Sequence, residues 1–289
     1  MVHCWFHKDD LDGICSGAIV KTYYKTCEMH PITYGEQFPW GTIHKEDLVY
    51  MVDFSLPFPQ MIYLFNSCNL NWIDHHWSAI EEYMNYPNAP FIEGRRDITH
   101  AACVLTWEYF YGSKGRAVVP KIVELIGRYD MGDWSDEVLD FSYGMKLFSP
   151  KELEPGQLFW ANNFAIDLTS AIALEGSTVR RYQKLQDERY SKSYAFECIL
   201  FDKYSAICCN AGMTSSRLFD SVVDKEKHDL FCWFVKRAEG YTVSLCAVRD
   251  DIDCGAICKM FGGGGHKKIG GFQIPDINKL FDGSALVKI

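Results

Sequence analysis

The chain has 289 residues, 48% of them hydrophobic and 15% aromatic, which is enough for a packed core and, at roughly 150 residues per domain, enough length for two domains. Its 29 Lys and Arg stand against 38 Asp and Glu, a formal charge of −9, which excludes a protein that holds long duplex DNA or other long nucleic acid by neutralising its phosphates. No apolar run approaches the ~20 residues of a membrane span, and the first residues lack the basic, apolar and small-residue order of an export signal, so a cytoplasmic protein away from the membrane is expected, with its twelve cysteines as reduced, buried thiols.

Val2 to Phe6 is a short apolar run. After a polar turn, Ile14, Ala18, Ile19 and Tyr23 recur at helical spacing between Gly13 and Thr26, which predicts strand, loop and helix. Leu48 to Val52 predicts a second strand, ending at Asp53. A Pro-bounded segment with Met61, Ile62 and Phe65 predicts a helix, and Leu70 to Ile73 a third strand running into Asp74. Strands alternating with helices predict a parallel or mixed sheet covered by helices, and ligands of such sheets gather beyond the carboxyl ends of the strands. Thr99 to Tyr111 and Val119 to Tyr129 read as helices. Glu154-Pro155-Gly156 breaks the pattern before a longer helical region from Ala165 to Arg189, whose charged stretch from Arg180 to Lys184 has the character of a connector. Phe196 to Phe201, Ser205 to Cys209, Asp229 to Val235 and Tyr241 to Val248 predict four strands, with a helix expected over Ser215 to Val223. Cys254 and Cys258, four apart, predict one buried helix face; their spacing does not suit a zinc knuckle. The expected fold is α/β: a parallel-sheet domain over 1–164, a helical linker over 165–192 and a smaller α+β domain over 193–289, with the active site in the cleft between the domains.

The densest polar cluster is His7-Lys8-Asp9-Asp10-Leu11-Asp12-Gly13, where three carboxylates repel one another unless protonated, spread into solvent or bound to a cation. The simpler reading is an acidic turn whose Asp12 caps the next helix. Asp74-His75-His76 follows another apolar run, Asp53 ends the strand before it, and Asp130 closes a helical stretch. Together His7, Asp10, Asp12, Asp53, His75 and Asp130 supply carboxylate and imidazole without thiolate, a donor set that suits Mn²⁺ or Mg²⁺. Six such donors exceed the needs of one ion. A two-metal site follows, of the kind that activates a water and stabilises the oxyanions of an in-line phosphoryl displacement.

These residues resemble the motifs of the DHH phosphoesterase superfamily. His7-x-x-Asp10-x-Asp12-Gly13 is similar to its first motif, Val52-Asp53 to its second, Asp74-His75-His76 to the triplet that names it and Asp130 to its fourth. The run from Phe261 to Phe272, with Gly263-Gly264-Gly265-His266 at its centre, resembles the Gly-Gly-Gly-His motif of the associated C-terminal domain. The resemblance implies that His7 and Asp10 hold one ion and Asp12, His75 and Asp130 the other, with Asp53 bridging. Asp74 and His76 would orient ligands or stand near the scissile phosphate. Asp9 is the alternative to Asp10, and the spacing of Asp10 from Asp12-Gly13 favours Asp10. Gly263, Gly264, Gly265 and His266 would contact the substrate. Arg96, in the Arg95-Arg96 pair, and Arg249 are candidates to reach a substrate phosphate, against the alternative of solvated surface cations.

The activity implied is a Mn²⁺-dependent phosphodiesterase releasing nucleoside monophosphates from short oligonucleotides or linear dinucleotides, by a monomer or homodimer. Short substrates need a local grip, which reconciles such an activity with a charge of −9. Alternatives within the family are a phosphatase for 3′-phosphoadenosine 5′-phosphate and a cyclic-dinucleotide phosphodiesterase. A RecJ-type exonuclease is disfavoured for want of room for an oligonucleotide-binding domain, and a family II pyrophosphatase by the glycine run. The alternative of another class is a non-catalytic nucleotide sensor.

Overall fold

The computed structural model describes residues 1–112 and 118–281, together with the backbone of 287–288. The chain divides into two compact units, Met1–Arg180 and Arg181–Ile289. The division falls inside a long helix, α8 (Thr169–Tyr194), where the sequence reading placed a linker over 165–192.

Unit 1 contains β1 (Val2–His7), α1 (Leu11–Tyr23), β2 (Glu28–Ile32), β3 (Leu48–Val52), α2 (Phe58–Ser67), β4 (Asn69–Asp74), α3 (Trp77–Asn85), β5 (Glu93–Arg96), α4 (Ala102–Tyr111), α5 (Lys121–Asp130), α6 (Asp136–Met145), α7 (Leu158–Ala165) and the first part of α8. The five strands form one parallel sheet in the order β2-β1-β3-β4-β5. Side chains alternate between its faces. Cys4, Phe6, Tyr50 and Val52 enter a core with Ile19, Leu105 and Ile126, while Trp5, Val49, Met51 and Trp72 enter another with Met61 and Leu64. Burial on both faces is why β1, β3 and β4 read as unbroken apolar runs. The edge strands β2 and β5 escaped that signal. One carries Pro31, which an edge tolerates, and the other is Glu93-Gly94-Arg95-Arg96.

Unit 2 begins within α8 and continues with β6 (Phe196–Leu200), β7 (Tyr204–Asn210), β8 (Leu230–Arg237), β9 (Gly240–Ala247), α9 (Cys254–Lys259), β10 (Gly264–Gly265), β11 (Ile269–Ile274), α10 (Asn278–Phe281) and β12 (Val287–Lys288). Its sheet has the order β10-β11-β9-β8-β7-β6-β12, antiparallel except between β7 and β8. The chain is therefore an α/β protein with a parallel-sheet N-terminal unit and a smaller α+β one, as expected. The helix predicted over Ser215 to Val223 is only a 3₁₀ turn at Ser216–Phe219. Three serines and the β-branched Val222 and Val223 oppose a longer helix, and of its residues Leu218 and Phe219 are buried in the core with Val222 packed against them.

The glycine run forms a tight hairpin. Gly264 and Gly265 pair with Gly271 and Gly270. A Cβ on Gly263 would stand 2.1 Å from the Gly271 carbonyl oxygen, and Gly265 has φ +140°, so both positions require glycine. All twelve cysteines are free thiols, and Cys254 and Cys258 lie on the buried face of α9. No helix among the described residues is long and apolar enough to cross a membrane.

Candidate metal centre

Three parallel strands end beside one another, and each delivers a polar residue as it leaves the sheet. His7 is the last residue of β1. Asp53 follows β3 with φ +52°, a backbone region that side chains other than glycine seldom occupy, and its N–H donates to Ile73 O at 3.0 Å. Asp74 ends β4 and is fully buried. Its Oδ1 accepts from the His75 and His76 amides at 2.8 and 3.2 Å and lies 2.8 Å from His76 Nδ1, while its Oδ2 accepts from Trp72 Nε1 at 3.0 Å. Both oxygens being committed, Asp74 serves the site by fixing the two histidines.

The loop after β1 divides its carboxylates among three tasks. Asp9 accepts from the Thr33 hydroxyl. Asp10, not Asp12, caps α1, taking the Gly13 amide at 2.9 Å on Oδ1, while its Oδ2 stands 3.7 Å from His7 Nε2. Asp12 lies in the first turn of α1, and its two oxygens accept the Ala102 and Cys103 amides at 2.8 and 2.7 Å. It thereby caps α4, whose own N-cap, Ala101, has no side chain to do so. Gly13 is required here because a Cβ would meet the His7 carbonyl at 2.1 Å.

His75 is the hub. Its Nε2 lies 3.4 Å from Asp53 Oδ1, 3.4 Å from Asp130 Oδ2 and 3.6 Å from Asp12 Oδ2. Two three-residue sets, Asp12/His75/Asp130 and Asp53/His75/His76, each bring one donor atom per residue within 4.8 Å of the others. His7 and Asp10, three apart in the chain, approach each other to 3.7 Å, but neither joins these sets.

Electrostatics decide what this arrangement accepts. Both oxygens of Asp53 are buried without a hydrogen-bond partner, as is Nδ1 of His7. Burial drives the Asp53 carboxyl well above the usual carboxylate range, and Asp12, Asp10, Asp74 and Asp130 push it further. Burial together with Asp12 and Asp10 raises Asp130 to about 7. The His75 ring is pushed down by burial, against the pull of Asp12, and is a neutral donor. His76 moves upward: burial opposes its charge, but the hydrogen bond to Asp74 and the nearby carboxylates outweigh it. An unpartnered buried carboxylate among other carboxylates is costly until a cation neutralises it. The donors Asp12, Asp53, Asp130, His75 and the His7–Asp10 pair fit a divalent ion of the Mg²⁺ or Mn²⁺ type.

Other expected contacts fall elsewhere. Arg96 pairs in register with Asp74, yet its guanidinium donates to the carbonyls of Trp72 and Ile92, both at 2.8 Å, and packs over the Trp72 and Tyr83 rings. It is a strut between strands, not a free phosphate ligand. Arg249 is occupied by a bidentate pair with Asp251 and a bond to Asp229. His266 is exposed at the glycine hairpin. Two features carried no sequence signal. Tyr34 packs edge-on to His7 and His76, at 5.5 and 6.1 Å between centroids. A cavity of about 560 Å³ borders Asp10, Asp12 and Asp130, lined by Lys8, Tyr129, Trp134, Phe141, Lys146 and Phe148 among others.

No family model matches the chain. The uncharacterized protein R106 of Acanthamoeba polyphaga mimivirus is 24% identical over 94% of this chain and 67% of its own length. Among solved structures, the pGpG-specific phosphodiesterase PggH of Vibrio cholerae superposes with a TM-score of 0.57 at 12% identity, over 95% of this chain and 94% of that one. The chain has the fold of that phosphodiesterase. The DHH domain of PF0399, a member of a family of ribosomal proteins, aligns over 98% of this chain and 83% of that one at 12% identity, with a TM-score of 0.49.

Proposed function

We propose that the protein is a metal-dependent phosphoesterase that hydrolyses short oligonucleotides or linear dinucleotides to nucleoside monophosphates. The observation that carries this reading is Asp53: two buried, unpartnered carboxylate oxygens beside His75, whose Nε2 also stands within 3.6 Å of Asp12 and Asp130. Mn²⁺ or Mg²⁺ held by these residues, with His7 and Asp10, would supply Lewis acidity to phosphoryl oxygens and lower the pKa of an attacking water. Asp53, from its strained turn, presents both oxygens to this space. Asp74 holds the His76 ring and favours its charged form, so that the ring can stabilise a phosphoryl oxygen and return a proton to the leaving oxygen as the P–O bond breaks. Asp74 acts through the two histidines.

The cavity next to Asp12 and Asp130 supports a nucleotide as substrate. Its volume of about 560 Å³ falls in the range of small-ligand sites. Trp134 and Tyr129 offer faces on which a base can stack, and Lys8, ion-paired with Glu36, and Lys146, over the Tyr143 ring, line the same cavity. In the same reading, Gly263, Gly264, Gly265 and His266 contact the substrate. The likeness of fold to a pGpG-specific phosphodiesterase supports a short nucleotide over a polymer.

The test is product formation from two- to five-residue RNA, linear and cyclic dinucleotides, 3′-phosphoadenosine 5′-phosphate and pyrophosphate, with Mn²⁺, Mg²⁺ or chelator. Monophosphates released from the shortest RNAs or linear dinucleotides, only with metal, are expected. Binding without any metal-dependent product would instead make the protein a sensor. Asp53→Asn should abolish turnover while its circular dichroism stays that of the wild type.

A further inference from the structure

A second cluster lies on β1 and the edge strand β2, toward the end of β1 opposite His7. In the parallel register of β1 and β2, His3 stands beside Glu28 and Trp5 beside His30. Alternation along each strand places His3, Glu28 and His30 on the face that carries Trp5. His3 Nδ1 is 3.0 Å from His30 Nε2 and 3.5 Å from Glu28 Oε2, and one donor atom from each of the three residues lies within 4.8 Å of the others. Zinc–nitrogen bonds of about 2.0–2.1 Å in a tetrahedron set neighbouring ligand atoms about 3.3 Å apart. The two measured distances bracket that edge.

A hydrogen bond between the two imidazoles explains the 3.0 Å contact but not its surroundings. On the far side of the His3 ring, Nε2 stands 3.5 Å from Asp47 Oδ2, and both side chains are buried. A proton on Nε2, facing Asp47, leaves the lone pair on Nδ1. If His30 then donated to that lone pair, the Glu28 carboxylate would face it at 3.5 Å with no proton between them. A metal cation among the three, or a second proton on His3, removes this repulsion, and the metal titration below separates the two. A carboxylate behind an imidazole, as Asp47 stands behind His3, is the arrangement that orients metal-bound histidines. The His30 ring is fixed by stacking on Trp5, with centroids 4.1 Å apart and planes at 13°. Glu28, about half exposed, gives the site access to solvent.

We propose that His3, His30 and Glu28 form a second metal site that takes one zinc-class divalent ion, with Asp47 orienting His3 and water completing the coordination. Glu28 supplies the balancing carboxylate; Asp47 is already paired with the N-terminal ammonium at 2.7 Å and takes the His44 amide at 2.8 Å. The site clasps the edge strand β2 to β1, and it is independent of the phosphoesterase reading.

The experiment uses the full chain carrying Asp53→Asn and Asp130→Asn, which weakens the hold of the strand-end centre on a competing ion. Zn²⁺ is titrated against a chromophoric chelator, and Co²⁺ is followed by its visible absorption. One tightly held ion per chain is expected, with tetrahedral Co²⁺ bands and no thiolate charge-transfer band. Adding His30→Ala should weaken Zn²⁺ at least 100-fold while the metal-free circular dichroism stays that of the parent, and Glu28→Gln, on the exposed side, should weaken it at least 10-fold. Absence of a stoichiometric ion, a thiolate band, or equal affinity in the Glu28→Gln chain would overturn the proposal, even if His30→Ala failed to fold.

Discussion

Replacing Asp130 by Asn removes one negative charge from the strand-end centre at nearly constant volume. In the metal-free protein its carboxyl titrates at about 7 against an ordinary 3.8, raised by burial and then by Asp12 and Asp10. The interval from 3.8 to about 7, at about 1.4 kcal/mol for each pH unit, puts an upper bound of about 4 kcal/mol on how far ionising Asp130 destabilises the fold. Because 26% of the side chain meets water, screening leaves about 2 kcal/mol. The sign follows from proton binding. The folded state holds this proton more tightly than the unfolded chain, so the contribution is fully present below about 3.8 and is lost as pH rises through about 7. At pH 8 the wild type bears the whole penalty and Asp130→Asn bears none. Thermal unfolding in chelator should therefore show the variant melting about 4–8 °C higher at pH 8, with the gap closing toward pH 4. Saturating Mn²⁺ reverses the order, since an ion at 100 times its Kd stabilises the wild type by about 2.7 kcal/mol and the variant has lost a ligand. A variant no more stable than wild type in chelator at pH 8, or a gap that ignores pH, would refute the view that Asp130 is held in a charge-starved cluster.

Other perturbations separate the roles assigned above. Asp74→Ala strands the Trp72 indole N–H and both histidine amides, and should destabilise unit 1 by about 2–4 kcal/mol, read as a lower denaturation midpoint. Trp134→Ala should raise KM for a dinucleotide roughly 5- to 150-fold, the worth of one base stack, while Mn²⁺ affinity by calorimetry stays put. Arg96→Ala should lower the melting temperature by several degrees and leave KM unchanged, because its guanidinium serves backbone carbonyls and rings. Gly263→Ala, whose methyl would collide with the Gly271 carbonyl, should destabilise unit 2 by at least about 2 kcal/mol in chemical denaturation.

The sequence by itself determined the parallel sheet and the identity of the charged residues at its ends. Strands buried on both faces must be continuous apolar runs, and a carboxylate or imidazole that ends such a run stands where the chain leaves the sheet; hence His7, Asp53 and Asp74 were legible one by one. The edge strands β2 and β5 were not legible, since one exposed side frees them from that pattern. Only the tertiary structure assigned work to neighbours of like chemistry. Asp9, Asp10 and Asp12 read alike in a turn, but one meets Thr33, one caps α1, and one caps a helix that begins ninety residues later. Arg96 looked available until the fold showed its guanidinium bound to two carbonyls. The cluster of His3, Glu28 and His30, and the cavity beside Asp130, had no local pattern at all, because each is assembled from segments far apart in the chain that meet only when the sheet and its helices pack.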